Sequence, residues 1–270
     1  MTIIKYFKLN EEPFRIPPNP RFLFLNEQVK EASSKVTYMT KHRTAPLYMY
    51  GAIGSGKTTL LRRLYEELKD DKTYNLHLLF APNVKSSMAF LRAIMDAFGV
   101  PTDRAYDRSL KLFEGFLLEQ YKQNKVPTLF IDEAQNMTRD ILKLVHYLLN
   151  FETSDVKLLQ IVLTGQDELS EKVKRYKELR SRMIPIAINS MSPVDLQNML
   201  LFRWSVASGN TSQAPFNDEA FQEIFAYTKG LPRDAIKLAD EVLRHLYISQ
   251  KDTATAAEVA HAAQQLDMEK

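Results

Sequence analysis

Short apolar runs alternate along this chain with longer stretches in which apolar residues recur every three or four positions. Residues 46–50, Pro-Leu-Tyr-Met-Tyr, form one such run, and Leu60, Leu61, Leu64, Tyr65 and Leu68 follow at helical spacing over 59–68. Residues 75–81 predict a second buried strand. Ser86 or Ser87 then caps a helix carrying Phe90, Leu91, Ile94, Met95 and Phe98, which Gly99 and Pro101 stop. A helix over 107–122 and a strand over 126–131 come next, and Thr138 caps a helix carrying Ile141, Leu142, Val145, Leu148 and Leu149. Runs at 158–163 and 184–189 complete five strands. Strands alternating with helices imply an α/β fold whose parallel sheet is covered on both faces.

The flanks have a different pattern. Pro13, Pro17, Pro18 and Pro20 crowd the segment 6–25, which is expected to run extended with its aromatics packed on the sheet domain. Asn26 reads as a cap for a helix bearing Val29, Ala32, Val36 and Met39. After the last strand, caps at Ser192, Asn217 and Thr255 and a start at Pro232 predict four helices, a small bundle. The expected division is an N-terminal segment and helix at 1–45, an α/β core at 46–190 and an all-α lid at 191–270.

Composition narrows the class. At 45% hydrophobic and 26% charged residues, the chain of 270 residues is globular, and it has no cysteine for a disulfide or thiolate metal site. The five histidines show no metal-ligand spacing, and Trp204 reads as core. No apolar run approaches membrane-spanning length and the N-terminus lacks a signal-peptide core, so a cytoplasmic location without membrane is expected. The net charge of +3 is too small to argue for nucleic acid.

The chemistry concentrates at 51–58, Gly-Ala-Ile-Gly-Ser-Gly-Lys-Thr. This is the phosphate-loop pattern, in its required place between a strand and a helix. Gly51, Gly54 and Gly56 let the backbone turn its amides toward phosphate; Ser55 and Thr59 belong to the same cofactor-binding loop. Lys57 brings a charge to the β- and γ-phosphates, and Thr58 offers its hydroxyl to Mg²⁺. The third strand delivers Asp132 and Glu133: Asp132 as second Mg²⁺ partner, Glu133 to orient the attacking water. At the end of the fourth strand, Thr164 is the first choice and Gln166 the second for a γ-phosphate sensor, if that strand neighbours the phosphate-loop and carboxylate strands.

Together with Arg180-Ser-Arg182 and Gly230-Leu-Pro-Arg233, these features resemble the AAA+ ATPases, a P-loop NTPase family with a five-stranded parallel core and a helical lid. The opening Tyr6-Phe, Glu12-Pro-Phe and Pro20-Arg-Phe-Leu-Phe-Leu25, with Ile131-Asp-Glu-Ala-Gln-Asn136 and 158–166, resemble the ExeA-type group within it. The resemblance implies ATP and Mg²⁺ as cofactors, hydrolysis, and a homo-oligomer, ring or filament, whose sites are shared between subunits. Arg182 would be the arginine finger, with Arg180 its competitor, and Arg233 the sensor arginine of the lid. The group is similar to two kinds of protein. One is the TnsC- or MuB-like regulator of DNA transposition, which assembles on double-stranded DNA and recruits a transposase with a target-selection protein. The other is the ATPase of a secretion-pathway assembly complex, in which a membrane span and a periplasmic domain follow. Neither follows Lys270, so the transposition regulator is the expectation and the secretion ATPase the alternative. The resemblance places DNA contacts at Lys85, Ser87, Thr102 and Arg104.

Overall fold

The apolar runs become five parallel strands: β1 (Leu47–Tyr50), β2 (Tyr74–Phe80), β3 (Val126–Asp132), β4 (Gln160–Gly165) and β5 (Ile184–Ala187). They form one sheet in the order β2-β3-β4-β1-β5. The computed structural model describes residues 2–80 and 86–270. Every residue of β3 and β4 is buried, as central strands covered on both faces must be. Two prolines sit where the ladder tolerates them: Pro127 lies before β4 pairing begins at Thr128, and Pro185 is on the edge strand β5.

The helices are α1 (Ile3–Tyr6), α2 (Glu27–Lys41), α3 (Lys57–Leu68), α4 (Ser87–Ala97), α5 (Tyr106–Lys122), α6 (Arg139–Leu148), α7 (Asp167–Arg175) and α8 (Lys177–Arg180), then α9 (Pro193–Ser208), α10 (Asp218–Thr228), α11 (Pro232–Ser249) and α12 (Ala256–Gln265). Contacts divide the chain into two compact units, a sheet unit of 28–51 and 60–188 and a helical unit of 1–27, 52–59 and 189–270. In the sheet unit Phe90, Ile94, Phe113, Leu129, Ile131 and Leu163 share one core. Ser86 caps α4 by accepting from the Ala89 amide, and Thr138 caps α6 by accepting from Ile141.

In the helical unit the expected caps form at Ser192, Asn217 and Thr255, the last as a reciprocal capping box with Glu258. Trp204 is buried in the core and its indole donates to the Ser212 carbonyl at 3.1 Å. Among the described residues no helix is long and apolar enough to cross a membrane.

The N-terminal segment differs from expectation. Phe14 and Phe22 are buried with Leu196, Met199, Trp204 and Phe216, in the helical unit and not on the sheet core. The segment is also not extended throughout, because Pro20–Phe22 makes one 3-10 turn with Pro20 at a permitted first position. Its destination has a physical reason. A proline-rich stretch leaves carbonyls without ladder partners, and Arg203 of α9 supplies the donors. The guanidinium bonds Pro13 O at 2.9 Å, Arg15 O at 3.0 Å and Phe22 O at 3.4 Å, and stacks 4.9 Å over the Phe22 ring. Only 7% of Arg203 is exposed, and burial lowers its pKa to about 10, still charged at neutral pH.

Candidate nucleotide site

The chain leaves β1 at Tyr50 and turns at once into the phosphate loop. Gly51, Gly54 and Gly56 have φ of 155°, 84° and 100°; the latter two are left-handed values that favour glycine. Ser55 N–H closes the turn on Ala52 O at 3.2 Å. Lys57 opens α3 and is buried, its ammonium folded over the loop to bond Ala52 O at 2.8 Å and Ser55 Oγ at 3.3 Å. A helix start, two left-handed glycines and a buried cation stand together in this loop, the features of an anion cradle.

Arg233 meets that cradle within the helical unit. Its backbone N–H donates to Gly54 O at 3.1 Å, and a Cβ built on Gly54 would stand 2.7 Å from the Arg233 Cβ. Gly54 therefore has two reasons to lack a side chain. The approach is set from behind by Gly230, where an added Cβ would meet the Met191 carbonyl at 2.2 Å, and whose own carbonyl accepts from Met191 N–H at 2.9 Å.

In the sheet unit, β4 lies between β3 and β1, so the adjacency required for a strand-end sensor is present. Asp132 is 2% exposed and its Oδ1 accepts from Glu133 N–H at 2.9 Å and from Thr164 Oγ1 at 2.5 Å. The Thr164 hydroxyl is thus spent on aiming the Asp132 carboxylate, a role the sequence did not suggest. Glu133 follows at φ 55° and ψ 32°, a left-handed conformation that costs a non-glycine residue roughly 1–3 kcal/mol and that clusters at functional sites. Its exposed carboxylate accepts from Gln135 Nε2 at 2.6 Å. Gln166 offers its backbone N–H to Gln135 Oε1 at 3.2 Å.

The two arginines before β5 stand at the opposite end of the sheet. Ile184 N–H bonds Pro46 O and Ile188 N–H bonds Tyr50 O. Arg182, in the turn between α8 and β5, therefore lies beyond the amino end of β1, whereas Asp132 stands at the carboxyl end of β3. Half-buried, it acts on its surroundings. Burial and then the Arg182 charge lower the His146 pKa, and after a Lys157 hydrogen bond Arg182 also helps hold Glu152 below the ordinary carboxylate value. Arg180 is exposed and its charge acts instead toward the Tyr48 phenol, whose pKa burial raises.

Of the residues assigned to DNA, Lys85 lies outside the described residues. Ser87 is the first residue of α4, with Ser86 as the cap, and it stands beside Tyr106, whose phenol pKa is raised by burial, an effect that Ser87 partly offsets. Thr102 is half-buried and Arg104 exposed, in a turn tied by Ser109 Oγ, which accepts from Asp103 N–H at 3.0 Å.

Residues 40–173 match the family model described as AAA domain. Residues 40–173 form a AAA domain. With its five-stranded parallel sheet and helical C-terminal region, the chain has an α/β P-loop NTPase fold, and the AAA domain it carries is that of an ATP-hydrolysing enzyme. Over 246 residues, 88% of this chain, it is 30% identical to General secretion pathway protein A of Aeromonas hydrophila, and it spans 44% of that protein's length. Two solved structures share the fold: the Aeropyrum pernix ORC2 protein (TM-score 0.70, 17% identity, 95% of this chain and 72% of that one) and the Thermotoga maritima RuvB Holliday junction branch migration motor (TM-score 0.60, 20% identity, 94% and 74%).

Sequence reasoning missed Gln135 and Arg203. The first stood inside the quoted Ile131–Asn136 stretch, where a second polar side chain beside the acidic pair was an available signal.

Proposed function

We propose that this AAA+ ATPase is the nucleotide-driven module of a secretion-pathway assembly complex. The observation carrying the reading is the 30% identity to General secretion pathway protein A, sustained over 88% of this chain. The secretion-pathway relative favours the alternative over the sequence-based preference for a transposition regulator. Where the chain ends decides nothing between the two.

The residues fit ATP and Mg²⁺. Glycines with positive φ around a buried lysine suit a phosphate chain. The oxygen donors of Thr58 and Asp132 suit a hard cation that keeps several waters, and among the described residues no cluster of three metal-ligating side chains competes for it. The metal, when bound, neutralises charge on the phosphate oxygens. Lys57 binds the phosphates, Asp132 is held in position by Thr164, Glu133 orients the water, and Arg233 carries a cation beside the loop. Arg182, too far along the strand to serve the carboxylate edge of its own sheet, completes the site of a neighbouring subunit in a homo-oligomer.

Two measurements test the reading. Lys57→Ala should lose ATP affinity, whereas Glu133→Gln should keep it and lose turnover, because lysine contacts phosphate in both ground and transition states and the glutamate acts on water alone. Duplex DNA at physiological salt should leave turnover and sedimentation of the wild-type chain unchanged. ATP-dependent coating of DNA would overturn the secretion reading and restore the transposition one, with Thr102 and Arg104 as the first contacts to vary.

A further inference from the structure

We infer that Gln135 is the positioning residue for the Glu133 carboxylate and couples it to the end of β4; this rests on the reading of Glu133 as the group that orients water. The side-chain amide makes two bonds, Nε2 to Glu133 Oε2 at 2.6 Å and Oε1 from Gln166 N–H at 3.2 Å. These two bonds agree on one orientation of the amide. A backbone N–H needs the carbonyl oxygen as acceptor and a carboxylate needs the NH₂ as donor, so the flipped amide would lose both.

The bridge is built from both ends. On the β4 side, a Cβ on Gly165 would stand 2.7 Å from Gln135 Oε1, so the strand must present a glycine for the amide to approach. On the other side the turn is fixed by Lys172 of α7, whose ammonium donates to the Gln135 carbonyl and, at 3.0 Å, to the Met137 carbonyl. Glu133 itself is set by its left-handed backbone and by its own amide, which is bonded to Asp132. With the backbone fixed, the remaining freedom is the side chain, and Gln135 removes it by taking Oε2. Oε1 has no hydrogen-bond partner among the described residues and faces the remaining task, accepting from water. Because Gln166 follows the sensor strand, a shift of the β4 end is transmitted to the carboxylate through one side chain.

The test separates donation from mere tethering. Gln135→Glu keeps an oxygen for the Gln166 amide and the side-chain length but has no N–H for Glu133; Gln135→Ala removes both bonds. Both variants should lose about tenfold to hundredfold in kcat, the scale of a misplaced catalytic group. Binding of a non-hydrolysable ATP analogue and the thermal midpoint should be unchanged in Gln135→Glu. In a Glu133→Gln background neither change should lower the residual single-turnover rate further, because Gln135 acts only through Glu133. Full turnover in Gln135→Glu, or losses that add in the double variants, overturns the inference. Turnover surviving in Glu133→Gln alone would instead remove the reading of Glu133, a separate outcome.

Discussion

Replacing Gly54 by alanine tests whether Arg233 is seated on the phosphate loop. The substitution meets two penalties. At φ 84° a Cβ costs about 1–2 kcal/mol in any L-residue. The new Cβ also lands 2.7 Å from the Arg233 Cβ, which is a branch point close to backbone and cannot swing away as a side-chain terminus can. Relief requires the loop and the start of α11 to separate, and overpacking of this kind costs about 1–3 kcal/mol. The sum, about 2–5 kcal/mol, falls on the loop conformation that binds phosphate, so ATP affinity should fall about 30-fold or more, at about 1.4 kcal/mol per decade.

The chain contains its own control. Gly99 has φ 70° with nothing within 4 Å of an added Cβ, so Gly99→Ala carries only the backbone penalty and should lower stability while leaving ATP affinity intact. A second variant identifies the clash. Arg233→Ala retains the offending Cβ, whereas Arg233→Gly removes it, so Gly54→Ala should be partly rescued by Arg233→Gly and not by Arg233→Ala. Titration calorimetry with a non-hydrolysable analogue reads Gly54→Ala, Gly99→Ala and the two double variants. Wild-type affinity in Gly54→Ala, or equal rescue by both Arg233 changes, would refute the seating of Arg233 on the loop.

Arg182→Ala should bind ATP and fail to hydrolyse it, and mixing it with Lys57→Ala subunits should recover part of the turnover, measured as phosphate release; turnover retained by Arg182→Ala alone excludes a shared site. Arg203→Met should destabilise by about 1–3 kcal/mol, since the two short charged bonds to carbonyls are lost while the cost of burying a cation is relieved. Limited trypsin digestion should then cut faster after Arg15 and Arg21; unchanged digestion would show that Arg203 does not hold the segment. Glu258 has its pKa lowered from 4.5 to about 2 by Lys251 first and then by Thr255. A depressed carboxylate stabilises above its unfolded value and loses that contribution as pH falls from 4.5 toward 2, so helical content should drop over that window less steeply in Glu258→Gln than in wild type.

The phosphate loop and the sheet were legible because each is local. A strand, three glycines, a lysine and a helix follow in order within about twenty residues, and period alone separates helix from strand. The carboxylate strand end was legible for the same reason. What escaped was whatever depends on a partner far along the chain. Nothing around Pro13 announces that its carbonyl meets an arginine of α9, and aromatics that need a surface do not say which surface. Thr164 was legible only as a strand-end polar residue, because strand-end polarity shows in sequence whereas the direction of its hydroxyl, into Asp132, does not. The left-handed turn at Glu133 was equally hidden, since glutamate gives no sign of it where glycine or asparagine would have.

These hidden contacts share a logic. Arg233 touches the phosphate loop through its backbone N–H, so the contact with Gly54 survives most changes of side chain at 233 and leaves the guanidinium uncommitted to it. Gly54 and Gly230 are the residues that must stay small for this to hold, one in front of the arginine and one behind it. Arg203 makes the complementary arrangement, a side chain committed wholly to backbone carbonyls, which binds the N-terminal segment to α9 as part of the helical unit. The phosphate loop, Arg233 and the proline-rich segment thus belong to one compact body joined through α11 and α9, so a nucleotide-dependent shift of the loop is predicted to reach that segment. A probe on Ile16, 48% exposed within the segment, should therefore report nucleotide binding in wild type and fall silent in Arg203→Met.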